Sequence, residues 1–511
     1  MTNASPAALG VGFDFAMDAW LPMNRWTRAD FRTVLVLAFR HLVVKRGRAA
    51  LLLFGYAVGA AVMMVLLSVG EAMLIQSRDV RLVGGGEVTL LPEGIDLEGL
   101  RTGSMGGMFF GIDRARFLDR QLAGGPRLDD VVAATSPLIE QKLVYLVTDG
   151  ALHPLRAGGE IPSAAAAVGS ALNLLAGRWE DSDADRRFKA PTPSQLLDEI
   201  DHFHTPMADS TWAEWHYFNV APSPDEWWYI TFLIGGPLYQ GKGGGQLLVT
   251  RHREGRPPAR YESYAGQDAI RYDTSRADLA IGPHTVTQRD GAYRIQGAAG
   301  GVRFDLEIVP ERHAYFPPLE LRGDRFRSGY VVPVLRGLAS GTICEGGVCR
   351  AIERAAAYHD HNWGVWRETT WNWGQARGRD LTFVYGGVLT GDSLAAPSSS
   401  PYFMAVVDSL GVRQVLRFAA IDYHGARTII GARGSTAPER FNFRAARLTD
   451  TVDVAVTVRH AQATPAAQAG GRIFLQMRGE FTLRGTLLGR PVADSGLGFF
   501  ETFVAPNADR R

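Results

Sequence analysis

Two rhythms of apolar residues divide this chain. From Ala49 to Gly70 it reads AALLLFGYAVGAAVMMVLLSVG, without a charge. A helix of that length extends about 33 Å, enough to cross a hydrocarbon layer of about 30 Å. Ahead of it, Phe31, Leu35, Phe39 and Leu42 recur at helical spacing between Trp26 and Val44, with Arg28 and Arg32 interleaved. That stripe predicts an amphipathic helix lying on a membrane surface or packing on a partner. From Trp212 the rhythm changes. WAEWHYFNV, EWWYITFLI, GQLLVTRHR, YRIQGAAGGVRFDLEIVP, LTFVYGGVL, YFMAVVDSL, VLRFAAIDY, TVDVAVTVRH and GRIFLQMRGEFTLRGTLL are rich in β-branched and aromatic residues. Strands arriving about every ten residues, with no long helical pattern between them, predict a barrel or sandwich. Roughly 290 residues of such sequence exceed one small barrel, so two consecutive β units are expected, divided near Arg322-Gly323. Between the two regimes, residues 163–176 read as a small-residue helix. Residues 180–211, with Pro191, Pro193 and Pro206, read as a polar linker, and 396–401 and 463–471 as solvent loops.

Charge sets the direction of the apolar helix. Arg25, Arg28, Arg32, Arg40, Lys45, Arg46 and Arg48 precede it, while Glu71 follows. By the positive-inside rule the N-terminus stays in the cytoplasm and everything after about Leu74 is exported. The run starts late and lacks a convincing cleavage site, which favours a signal anchor over a cleaved peptide. The expected organisation is a cytoplasmic segment over 1–48, a single-pass inner-membrane anchor over 49–75, an extracytoplasmic region over 76–200, and β domains over 201–322 and 323–511. A net charge of +1 in 511 residues leaves no footprint for nucleic acid. The two cysteines, Cys344 and Cys349, flank Glu345-Gly346-Gly347-Val348. They are either two buried thiols or a short disulfide across a Gly-Gly turn, and an exported location favours the disulfide.

Most of the 11 Trp fall between Trp212 and Trp373, around the densest chemical cluster, Tyr358-His359-Asp360-His361-Asn362-Trp363-Gly364, with Trp371 and Trp373 just beyond. On a strand Tyr358, Asp360 and Asn362 share one face, and His359, His361 and Trp363 the other. Inside an apolar barrel Asp360 would keep its proton and could donate it, with indole faces sheltering a developing cation. That pairing suits protonation of an alkene followed by capture of water. The bland alternative is that Asp360 and Asn362 tie down backbone amides while the tryptophans are core. His359-x-His361 offers two metal ligands without a clear third, so neither metal nor cofactor is expected. A second cluster runs Glu214-Trp215-His216-Tyr217-Phe218, with Trp228 on the next strand; Glu214, His216 and Phe218 share a face. Glu501, in an otherwise apolar final strand, needs a partner or a proton if buried.

The E-W-x-Y-F strand, the Y-H-D-H-N-W-G segment, the W-x-W that follows and the closing G-x-G-F-x-E strand resemble the hydroxyneurosporene synthase (carotenoid 1,2-hydratase) and AttH-type family over about residues 212–505. The resemblance implies two tandem lipocalin-like β domains with a ligand site at the motif. It implies acid chemistry on Tyr358 and Asp360, with His361 alongside. Glu214, Trp215, Tyr217, Trp228, Asn362, Trp363, Trp371, Trp373 and Glu501 would line the ligand. The carotenoid hydratases are expected to carry a His-x-Trp pair one hairpin upstream; here that stretch reads Ser328-Gly329-Tyr330-Val331-Val332-Pro333, and His216 stands where Trp is often seen. The first third, including RHLVVKRGRAALLLFGYAVGAAVMMVLLSVGEAM and LLAGRWEDSDADRRF, resembles the N-terminal part of macrolide-exporter-type ABC permeases. No second apolar run of spanning length accompanies it. Two functions follow: a tethered protein that binds a hydrophobic small molecule, of lipid or isoprenoid type, beside an ABC exporter ATPase or permease; or a hydro-lyase or isomerase of carotenoid 1,2-hydratase type.

Overall fold

The computed structural model describes residues 28–78, 88, 90, 111–128, 130–169, 179–323, 325–390, 402–429, 435–466 and 472–504. The chain divides into two compact units, Met1–Val83 and Gly84–Arg511. In the first, α1 (Arg28–Val44) is followed by α2 (Arg46–Arg78). Within α2, Arg46–Val69 is long and apolar enough to cross a membrane, and none of that span is buried by protein. The expectations over 79–110, and much of the small-residue helix beyond Gly169, lie outside the described residues.

The second unit opens with helix α3 (Ile112–Leu122), the hairpin β1 (Leu138–Thr148) and β2 (Ala151–Glu160), and helix α4 (Pro162–Ala167). The stretch expected to be a linker folds instead. It forms α5 (Asp183–Lys189) and α6 (Pro193–Ile200). Capping boxes start both helices: Ser182 with Asp185, and Thr192 with Gln195, the latter with Pro193 in the first turn. Each box satisfies amide groups that a helix start leaves open, and proline fits there because it has no N–H to satisfy. The prolines thus punctuate helices rather than extend a linker. Leu197 and Ile200 of α6 are buried in the core of the barrel that follows.

That barrel comprises β3 (Trp212–Ser223), β4 (Glu226–Gly235), β5 (Gly244–Arg253), β6 (Ala259–Gly266), β7 (Ile270–Tyr272), β8 (Leu279–Ile281), β9 (His284–Arg289), β10 (Ala292–Ala299), β11 (Val302–Pro310), β12 (Phe316–Gly323), β13 (Phe326–Glu345) and β14 (Val348–Trp366). The order is β6-β5-β4-β3-β14-β13-β11-β10-β9-β8-β7, with β12 lying on β13. It is a meander in which β14 returns to pair with β3. The two edges, β6 and β7, follow one another in the chain, so the sheet rolls almost shut. A second sheet contains β15 (Thr369–Gly378), β16 (Thr382–Thr390), β17 (Tyr402–Asp408), β18 (Gly411–Phe418), β19 (Asp422–His424), β22 (Arg440–Arg447), β23 (Asp450–Ala466), β24 (Arg472–Leu487) and β25 (Arg490–Val504). The ribbon β20 (Arg427–Thr428) and β21 (Thr436–Ala437) stands apart. Pairing of β15 with β25 and of β18 with β22 closes the main strands into an up-and-down barrel.

Two consecutive barrels were expected, but the division falls after Trp366 rather than near Arg322-Gly323. Long β13 and β14 read as the opening of a new unit, yet their hydrogen bonds run to β11 and β3. Each barrel has its own core, and a third cluster lies between them, joining Tyr217, Trp227, Tyr229, Tyr330 and Tyr358 of the first to Trp373, Val384, Phe403 and Phe499 of the second. Burying one such large side chain stabilises the fold by about 1.5–3 kcal/mol. Arg377 adds a polar tie, donating to Gly337 O (3.4 Å) and Glu311 Oε1 (3.2 Å).

Cys344 and Cys349 stand opposite one another on β13 and β14 and form a disulfide. The turn between them places Gly346 and Gly347 at φ +58° and +84°, a conformation that glycine enters without a Cβ penalty.

Candidate functional site

Alternation along β3 and β14 builds two separate polar clusters, one on each side of a single layer of backbone. The strands pair with Tyr358 opposite Asn219, Asp360 opposite Tyr217 and Asn362 opposite Trp215. These outward residues face the second barrel. Glu214, His216 and Phe218 of β3, with His359, His361 and Trp363 of β14, point into the first barrel, as period-two alternation requires.

The outward cluster is a chain of hydrogen bonds. Trp373 Nε1 donates to Tyr330 OH (2.9 Å), which lies 3.0 Å from Tyr358 OH. Tyr358 donates to Asp360 Oδ2 (2.8 Å), and Asn362 Nδ2 donates to Asp360 Oδ1 (2.9 Å). Across the gap, Glu501 of β25 accepts from Trp371 Nε1 and Gln476 Nε2, each at 3.1 Å. Burial pushes the Asp360 carboxyl well above the usual range against the Tyr358 bond, and the nearby Glu501 carboxyl adds to the rise. Burial likewise lifts Glu501 to about 7, opposed by its bonds from Gln476 and Trp371. Burial thus favours the protonated form of Asp360, and Glu501 sits near its midpoint at neutral pH. Around them Trp215 lies 5.0 Å from Trp366 and 6.4 Å from Trp371, ring centre to ring centre, and Trp371 lies 4.6 Å from Phe503. Trp215, Asn362, Trp371, Glu501 and Phe503 are only half-buried, whereas Tyr358 and Asp360 are buried. The aromatic rim thus reaches solvent and the acid lies behind it.

The expected site residues are divided by this arrangement. Asp360, Tyr358, Trp215, Tyr217, Asn362, Trp371, Trp373 and Glu501 come together, but between the barrels rather than inside one. His361, Glu214 and Trp363 lie on the opposite face of the sheet, so His361 does not share the space of Asp360. Trp228 is also inside the first barrel, where its Nε1 donates to Glu226 (2.8 Å); its neighbour Trp227 is the one at the interface. Tyr330, Tyr229 and Phe499 are further members that sequence reasoning passed over. Tyr330 had a signal, since it lies in the stretch where the His-x-Trp pair was sought.

The inward cluster is more polar than the sequence suggested. Asp201, at the end of α6, is fully buried and reaches the barrel interior. Its Oδ1 lies 2.5 Å from His361 Nδ1, and its Oδ2 accepts from Tyr293 OH (2.5 Å) and lies 3.2 Å from His359 Nε2. His361 Nε2 is 3.0 Å from Glu214 Oε1, which also receives the His204 amide (3.0 Å) and lies 2.8 Å from His204 Nδ1. Burial alone would raise Asp201, but His361, His216 and the bonds from His359 and His361 hold it well below the usual carboxylate range. His361 sits between two carboxylates, which outweigh burial and lift it to about 9. Asp201, His216 and His359 offer ligand atoms all within 4.8 Å of one another. Of the His-x-His pair only His359 belongs to this set; the other two members come from a segment read as linker and from the neighbouring strand.

Fold and site together define a class: a pair of meandering, lipocalin-like antiparallel barrels with a buried aspartate behind half-buried aromatic side chains where the barrels meet. No family profile matches the chain, and no curated protein matches it. Solved structures of similar shape include an AttH-type protein of Nitrosomonas europaea, with 16% identity over 57% of this chain and 92% of that one, at TM-score 0.43. Kievitone hydratase of Nectria haematococca is 13% identical over 61% of this chain and 96% of its own, at TM-score 0.42. CghA in complex with Sch210972 is 11% identical over 62% and 96%, at TM-score 0.44. These are likenesses of shape.

Proposed function

We propose that the aromatic junction between the barrels binds a hydrophobic, unsaturated small molecule of lipid or isoprenoid type. The observation that carries this is the half-buried rim of Trp215, Trp371 and Phe503 in front of the buried Asp360. Such a rim offers apolar surface outside and a few fixed polar groups within, the usual composition of a small-molecule site. In the same reading α2 anchors the chain in the inner membrane, the flanking arginines keep its start in the cytoplasm, and the barrels lie on the extracytoplasmic side. Association with an ABC exporter rests on the likeness of the first third to its permeases.

Titrating the full chain in detergent with a carotenoid and with a polyprenol, and following tryptophan quenching, tests the binding. Saturable quenching is expected, weakened about tenfold, or about 1.4 kcal/mol, by Trp371→Ala. Quenching that never saturates, or that Trp371→Ala leaves unchanged, overturns the assignment.

A second reading has its own observation, the buried Asp360 held by Tyr358 and Asn362, whose carboxyl burial shifts toward the protonated form. A protonated acid beside indoles can protonate an alkene, after which water adds to the cation and returns a proton. Tyr358, Tyr330 and Trp373 orient that acid. Product heavier by one water with wild type and none with Asp360→Asn, at unchanged ligand affinity, distinguishes hydration from carriage alone.

A further inference from the structure

We propose that Asp201, His216 and His359 bind a divalent transition-metal ion, zinc by preference, inside the first barrel. This site lies on the opposite side of β3 and β14 from the Asp360 cluster, and neither depends on the other. All three side chains are fully buried.

Hydrogen-bond partners orient the ligands. His359 Nδ1 lies 3.1 Å from the Tyr217 carbonyl, which can only accept, so the proton of a neutral ring sits on Nδ1. The Nε2 lone pair then faces Asp201 Oδ2 at 3.2 Å. A lone pair aimed at a carboxylate is repulsive unless a cation is shared between them. Tetrahedral coordination with bonds of about 2.0–2.1 Å separates neighbouring ligand atoms by roughly 3.3 Å, close to that spacing. His216 completes the set. Its ring centre is 5.0 Å from that of His359, and a backbone hydrogen bond to Ala277 occupies at most one of its two ring nitrogens. A fully buried imidazole nitrogen left without a partner is costly, and coordination would satisfy it.

Outer bonds follow the pattern that holds metal ligands: His359 to a backbone carbonyl, and Asp201 from Tyr293 OH and from His361. Imidazole and carboxylate together suit zinc and its first-row neighbours rather than calcium or magnesium. With no exposed ligand the role is structural. The ion would fasten the Asp201–Phe203 plug, where Phe203 packs 4.9 Å from His216, into the mouth of the barrel.

Untagged full-length protein, purified in detergent without chelators and dialysed against Zn²⁺, should retain one equivalent by elemental analysis. Co²⁺ loaded in its place should show ligand-field bands of four-coordinate nitrogen and oxygen ligation. His216→Ala should weaken retention by at least about tenfold. Since that variant could also loosen the barrel, the wild-type protein supplies an independent readout: stripping with a strong chelator should lower its Tm and Zn²⁺ should restore it. Substoichiometric metal in wild type, a Tm indifferent to Zn²⁺, or Co²⁺ bands unchanged in a folded His216→Ala variant would each overturn the proposal. A proton rather than a metal would then join His359 to Asp201.

Discussion

Glu501 shows how one side chain records its surroundings. Held on β25 between Trp371 and Gln476, it keeps its proton to about pH 7, whereas the unfolded chain releases it near 4.5. Between those values the folded state binds more protons, so its stability falls as pH rises through that window and is level above it. Glu501→Gln removes this contribution. Its Tm should drop less than that of wild type between about pH 5 and about pH 8; parallel curves would show that Glu501 is solvated in both states. The chemical character of Asp360 was equally legible from its residue type and apolar neighbours. Glu501 was a candidate from its apolar strand, but Tyr330 was not, because it meets Tyr358 from the neighbouring strand in a register that local spacing does not give.

At the scale of strands, β13 and β14 carry the site and are joined tightly. Gly329 lies opposite Trp363, whose indole covers it; a Cβ added there would meet the ring at 1.9 Å. Gly329→Ala should therefore displace Trp363 and destabilise the first barrel by about 1–3 kcal/mol, read from urea unfolding. The disulfide closes the far end of the same hairpin. A loop this short restricts the unfolded chain by about 2 kcal/mol, which Cys344→Ser with Cys349→Ser should forfeit in denaturant titrations. Thiol labelling of untreated protein should find neither cysteine free. Period-two alternation assigned the faces of β14 correctly from the sequence. Which face was the barrel interior it did not say, because both faces are apolar and polar in similar measure when a strand separates two cores.

Across the whole second unit, the cluster between the barrels makes them interdependent. Phe499 is fully buried, with its ring centre 3.7 Å from that of Tyr229 and 4.4 Å from that of Trp227. Phe499→Ala should cost about 3–5 kcal/mol and split a single calorimetric transition into two, one per barrel; a single transition merely shifted in temperature would mean that other contacts suffice to couple them.

Local patterns in the sequence were enough for the apolar helix, the strands, two consecutive β units and the neighbours across the Gly-Gly turn, since each follows from residues within a few positions of one another. Only the tertiary structure decided where the first barrel ends, that Tyr358 and Asp360 lie between barrels while His361 faces inward, and that Asp201 leaves a helix end to meet His216 and His359. Barrel closure is the physical reason: it pairs strands that are distant in sequence, and the hydrogen bonds of β14 to β3 bring together residues that no local spacing can relate.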